Sequence, residues 1–159
     1  MERIEVETGD WTRLGADAAR IRDAVFVREQ RIAPELELDE EDPLAHHAVA
    51  YLVRGEGGDD RGGRHAVGTA RLLAGATIGR LLAGATIGRL SVLPAARGRG
   101  IGTRVLDALV AEAAARGEAR VTLYAQPAAV PFYRQRGFDI VGEPFDTAGV
   151  IHVEMARAP

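Results

Sequence analysis

Ten residues, ARGRGIGTRV (Ala96–Val105), hold three glycines and three arginines directly after an apolar stretch, IGRLSVLP. A bare basic turn between a strand and a helix has a specific chemical use. A helix N-terminus leaves about four backbone N–H groups unpaired and carries a partial positive charge. Glycines remove the side chains that would hold an anion away. Gly98, Gly100 and Gly102, with Arg97, Arg99 and Arg104 nearby, therefore read as a cradle for phosphate or pyrophosphate. The plainer reading is a tight turn with its arginines in solvent. Two familiar phosphate sites do not fit. A dinucleotide fingerprint needs G-x-G-x-x-G, but Thr103 stands at the third glycine, and the acid expected some 20 residues on is replaced by VTLYA. A P-loop needs a lysine.

The chain has none: all 20 of its basic residues are arginines. It also lacks asparagine and cysteine, and its one serine, Ser91, lies outside any G-x-S-x-G pattern. Schiff-base chemistry, disulfides, thiolate metal sites and a cysteine nucleophile are excluded, and no metal is expected. At 159 residues with 47% apolar and 27% charged, the chain reads as one domain spanning 1–159. A net charge of −3 does not indicate nucleic-acid binding. No apolar run reaches 18 residues and no signal pattern opens the chain, so no membrane is expected and the cytoplasm is the default location.

These residues need elements to hold them. Strands are expected at Arg3–Thr8, His46–Arg54, His65–Leu73 and Arg120–Ala125, with a final pair in FDIVGE and VIHVEMAR. Helices are expected at Gly15–Arg28, Thr103–Gly117 and Pro127–Gly137. Pro34–Asp42 reads as an acidic loop, and GEGGDDRGGR as a flexible hairpin connection. The order, roughly β-α-β-β-β-α-β-α-β-β, defines a mixed α+β (α/β) domain. LLAGATIGR occurs twice in tandem, Leu72–Arg80 and Leu81–Arg89. Nine is odd and strand side chains alternate with period two, so both copies cannot bury the same residues in one strand. The second copy, adjoining LSV, is expected to supply the core strand. The first is expected to lengthen the preceding hairpin or loop out.

Arg97-x-x-Gly100-x-Gly102, after a strand and opening a helix, resembles the acetyl-CoA loop of the GNAT family of N-acetyltransferases. VTLYAQPAAVPFYRQRGF (Val121–Phe138) is similar to that family's next strand and helix. VFVREQ, ELELDEED and GVIHVEM resemble a small bacterial subgroup of the ElaA/YjcF type. The chain departs from the family in the duplication, in Gln126 where asparagine is common, and in Ile151 before His152.

The resemblance implies a central, mostly antiparallel mixed sheet flanked by helices, with a cofactor strand splayed from its neighbour. Backbone groups of Leu90, Ser91, Val92 and Leu93 would pair with the pantetheine arm of acetyl-CoA. The N–H groups of Arg97, Gly98, Arg99, Gly100, Ile101, Gly102 and Thr103 would hold its pyrophosphate. Tyr133 would protonate the departing thiolate; read without the family it is a core aromatic beside Phe132 and Phe138. With no cysteine, direct attack by a small-molecule or peptide amine is the simplest course. Glu29, Glu37, Asp39, His47 and His152 are the candidate bases, histidine having the most suitable ordinary pKa. The acidic run would attract a cationic amine or simply be solvated. A non-catalytic acyl-CoA-binding domain and a dinucleotide-dependent redox enzyme are the competing readings. Exposed strand ends would allow a homodimer.

Overall fold

A computed structural model describes residues 2–55, 63–75, 77–78, 81–82, 84–147 and 149–159. The hairpin connection read at GEGGDDRGGR lies largely outside them. Strands β1 (Glu2–Gly9), β2 (His46–Arg54) and β3 (Arg64–Leu73) form an antiparallel meander. After a small hairpin, β4 (Thr77–Ile78) with β5 (Leu81–Leu82), the chain returns as β6 (Ala85–Val92), antiparallel to β3. β7 (Val121–Ala125) lies parallel to β6. Strands β8 (Asp139–Ile140), β9 (Phe145–Thr147) and β10 (Val150–Arg157) complete the sheet, and β10 pairs with β7. The main sheet runs β1-β2-β3-β6-β7-β10-β8, with β9 on β10.

Strand alternation assigns a helix to each face. On β2, Ala48, Ala50 and Leu52 point into the larger core with helix α3 (Ile101–Ala115). Val49 and Tyr51 point the other way, onto α1 (Trp11–Arg22). α3 buries Ile101, Val105, Leu106, Leu109, Val110 and Ala113, the single stripe its spacing dictates. It ends at Gly117, whose φ of +73° suits the left-handed exit. α1 starts on Asp10, whose carboxylate accepts from Arg13 N–H at 3.0 Å. Its helical course does not stop at Arg22 but widens into a π-helical turn, Asp23–Glu29. Among the described residues no helix is long and apolar enough to cross a membrane.

The acidic stretch departs from its reading as a plain loop. Pro34–Glu37 form a short helix, α2, and Asp42–Leu44 a 3₁₀ turn. Glu37 and Asp42 are buried, both bound to the buried Arg22, and Asp42 also binds Arg71. These acids are internal counter-ions, which a run of carboxylates does not disclose by itself. The second repeat copy supplies the core strand as expected, through Ala85–Arg89 of β6. The first ends β3 with Leu72 and Leu73 and then contributes Thr77–Ile78 to the added hairpin.

Candidate active site

β6 and β7 begin as partners and then part. Their ladder pairing covers Ala85 with Val121 and Thr86 with Thr122, closed by a 3.2 Å contact between the two threonine hydroxyls. Beyond Thr86 the strands diverge around a cavity of about 370 Å³. Its walls are Ile87–Leu90 of β6, Leu123–Ala125 of β7, and Tyr133 and His152. Phe26 and Glu37 close it from the helical side.

The divergence has a local cause. Thr69 lies opposite Ser91 and Arg71 opposite Gly88, so Arg89 and Leu90 together face Ala70 alone. This is a β-bulge, which bends and twists its strand. Arg89 takes φ +56°, unusual for a residue with a side chain. Its guanidinium compensates: Nε donates to the Glu37 carbonyl and Nη2 to the Leu36 carbonyl, both at 3.2 Å. The bulge thereby ties β6 to the end of α2, the segment that covers the slot.

α3 starts at the far end of β6. Gly98 (φ +80°) and Gly100 (φ +75°) supply the left-handed turn, and Gly100 caps the helix with no side chain. The first intrahelical bond is Arg104 N–H to the Gly100 carbonyl at 3.1 Å, leaving the Ile101, Gly102 and Thr103 amides without helical acceptors. Gly68 permits the close approach: a Cβ there would fall 2.6 Å from Ile101 Cγ2.

Several residues singled out in the sequence have prior engagements. Arg97 binds both carboxylate oxygens of Glu29, at 2.6 and 2.8 Å, and donates Nε to the Val92 carbonyl. Arg99 pairs with Glu2 at 2.6 Å. Leu93 N–H is bonded to the Val67 carbonyl, and the Ser91 side chain turns into the protein. Leu90 faces the slot. The Arg97 amide is itself bonded to the Pro94 carbonyl at 3.3 Å, so the open donors are the amides of Ile101, Gly102 and Thr103 together with the exposed side chain of Arg104.

Tyr133 stands on α4 (Val130–Gln135), edge-on to Phe132 and Phe138 at centroid distances of 5.1 and 6.1 Å. Burial pushes its phenol up to about 12, so it carries its proton at neutral pH. The candidate bases separate sharply. Glu29 is spent on Arg97, whose hydrogen bonds hold its carboxyl below the usual range. Hydrogen bonds from Arg71 bring Asp39 down to about 2. His47 lies under Trp11 on the α1 face, with Nε2 on the Asp42 carbonyl at 2.9 Å; burial lowers its pKa. Glu37 lines the slot but is bound to Arg22. His152 lines the slot with Nδ1 3.0 Å from the Val150 carbonyl. A carbonyl can only accept, so Nδ1 bears the hydrogen and the neutral ring keeps its lone pair on Nε2.

A splayed parallel pair and a bulged strand at one slot, with a helix start lacking a side-chain cap next to it against Val92 and Phe132, define an acyl-CoA transferase fold. The model for the acetyltransferase (GNAT) domain matches residues 64–158. The chain is 33% identical over 142 residues to the uncharacterised N-acetyltransferase YjcF of Bacillus subtilis, covering 89% of this chain and 90% of that one. The crystal structure of Escherichia coli ElaA superposes with a TM-score of 0.77 at 26% identity, over 98% of this chain and 99% of that one. An acyl-CoA N-acyltransferase from Pseudomonas aeruginosa gives 0.75 at 27%, over 98% and 100%. This protein belongs to the GNAT family, of the ElaA/YjcF type, and is an acyltransferase.

The sequence reading missed the bulge and the buried ion network. No sequence signal marks a positive φ at an arginine. The exclusive use of arginine was a hint to the network, since its planar fork suits buried carboxylate pairing better than lysine does.

Proposed function

We propose that the protein transfers an acetyl group from acetyl-CoA directly to an amine. The observation that carries the reading is the divergence of β6 from β7 around a slot lined by Tyr133, with the open amides at the start of α3 beside it, where Gly102 lies against Val92 and Phe132, the neighbours of the slot's Leu90 and Tyr133. The thioester arm runs along the edge of β6 beside Leu90, and the pyrophosphate rests on the turn from Arg97 to Thr103. Each anion contact with the helix end contributes ~0.3–1 kcal/mol.

The amine nitrogen attacks the thioester carbonyl carbon. The tetrahedral adduct collapses with cleavage of the C–S bond, and Tyr133 gives its proton to the departing sulfur. Nε2 of His152 takes a proton from the entering ammonium, directly or through one water, which frees the nitrogen lone pair for the attack, and the second proton that the nitrogen loses as the adduct collapses passes through water to restore Tyr133. General acid–base assistance of this kind contributes about 10²–10⁴-fold. The absence of cysteine favours direct attack over an acyl-cysteine relay.

The test is release of CoA thiol from acetyl-CoA in the presence of an amine panel, read with a thiol reagent to which a cysteine-free protein adds no background. Amine-dependent release with formation of the N-acetyl product supports the proposal. Binding of acetyl-CoA without transfer to any amine contradicts it.

A further inference from the structure

Past Arg89 the slot continues into a wider cavity of about 800 Å³, which shares Ile87, Gly88, Arg89, Tyr124 and His152 with it. One wall is built from rings on three different strands: Tyr124 of β7, Phe145 of β9 and His152 of β10. Phe145 meets Tyr124 edge-on at 5.6 Å and stacks on His152 at 6.0 Å with 27° between the planes. Tyr124 is 54% exposed and Phe145 39%, so ring surface stands uncovered beside the passage to the slot. Such surface attracts both other rings and cations.

The charges nearby are mostly answered within the protein. Arg71 binds Asp39 and Asp42, and Arg89 binds Asp39 and two backbone carbonyls. Glu41 is different: its carboxylate sits 3.5 Å from Arg71 but remains 58% exposed at the cavity. Across the cluster three guanidiniums, Arg22, Arg71 and Arg89, meet four carboxylates, Glu37, Asp39, Glu41 and Asp42, so the net charge beside the rim is negative.

Resting on the amine-transfer reading above, we propose that this cavity takes an acceptor whose primary amine is joined to an aromatic ring through a short alkyl chain. The ring packs against Tyr124 and Phe145, the ammonium is drawn in past Glu41, and the nitrogen reaches the slot beside His152, which borders both spaces.

The experiment compares 2-phenylethylamine with n-hexylamine as acceptors. For the wild type, kcat/KM is expected to favour the aromatic amine by about tenfold or more. Phe145→Leu, which keeps an apolar wall without the ring, is expected to erase most of that preference and leave the KM for acetyl-CoA unchanged. Equal use of the two amines by the wild type would overturn the inference. If neither amine is acetylated, these acceptors fail for transfer, and saturation-transfer NMR of 2-phenylethylamine decides the cavity independently. Contact with the wild type that weakens in Phe145→Leu supports the assignment; no contact, or contact indifferent to the substitution, overturns it.

Discussion

Leu72 of the first repeat copy lies opposite Ile87 of the second, and Leu73 opposite Thr86. In the added hairpin the roles reverse: Leu81 of the second copy lies opposite Ile78 of the first, and Leu82 opposite Thr77. One pairing rule, Leu-Leu against Thr-Ile, is satisfied twice, once in the main sheet and once beyond it. The duplication therefore extends a hairpin without shifting the strand that borders the slot. Removing residues 76–84 leaves a chain in which Leu72 still meets Ile87 and Leu73 still meets Thr86, now joined by Ala-Gly-Ala. Shortening the connection reduces closure entropy by about 1 kcal/mol. The expected outcome is retained acetyl-CoA binding and a Tm raised by about 2–4 °C in thermal unfolding. Loss of binding would show that the register depends on the insert.

The bulge supplies a second expectation. Arg89 holds α2 through two carbonyls while sitting at φ +56°. Arg89→Ala loses the bonds and keeps the backbone strain; Arg89→Gly loses the bonds and relieves it. Glycine is expected to be the more stable of the two by about 1 kcal/mol in urea unfolding. Both should raise the acceptor KM more than the KM for acetyl-CoA, because the tether reaches the covering segment rather than the glycine turn.

Acid should weaken the fold through Asp39. Its pKa, about 2, lies below its unfolded value because Arg71 stabilises the carboxylate. A depressed carboxylate adds stability that is fully present above the unfolded pKa, about 3.9, and is lost as pH falls toward 2. Urea midpoints measured from pH 5 to pH 2.5 are expected to decline, and Asp39→Asn should flatten part of that decline while lowering stability at pH 7.

Tyr133→Phe separates chemistry from packing. Among the described residues its hydroxyl donates to no protein group, so the substitution removes no internal hydrogen bond and keeps the contacts with Phe132 and Phe138. Turnover is expected to fall by about 10²-fold or more, with the dissociation constant of CoA and the Tm nearly unchanged. Undiminished turnover would remove Tyr133 from the mechanism.

The order of elements along the chain and both long helices were legible because their signals are periodic and local. β2 matches its expected bounds, His46–Arg54, and the α3 stripe can be counted along the chain. The glycine turn was legible because glycine records a backbone requirement directly. What escaped depends on partners distant in sequence. Glu37 and Asp42 are buried only because Arg22, 15 and 20 residues earlier, and Arg71 meet them. The five base candidates differ in type but were separated by environment: Arg97 claims Glu29, Arg71 claims Asp39, and His47 faces the opposite side of the sheet from the α3 core. Phe145 gave no signal at all, since its role beside Tyr124 exists only once β9 folds onto β10.

The central claim is that acetyl-CoA lies along the diverging edge of β6 with its pyrophosphate on the turn before α3. Backbone amide chemical shifts followed during titration with acetyl-CoA test it most directly. The largest changes are expected at Ile87–Leu90 and from Arg97 to Thr103, with NAD and ATP producing no matching pattern. Changes confined to other surfaces, or none at millimolar acetyl-CoA, would contradict it.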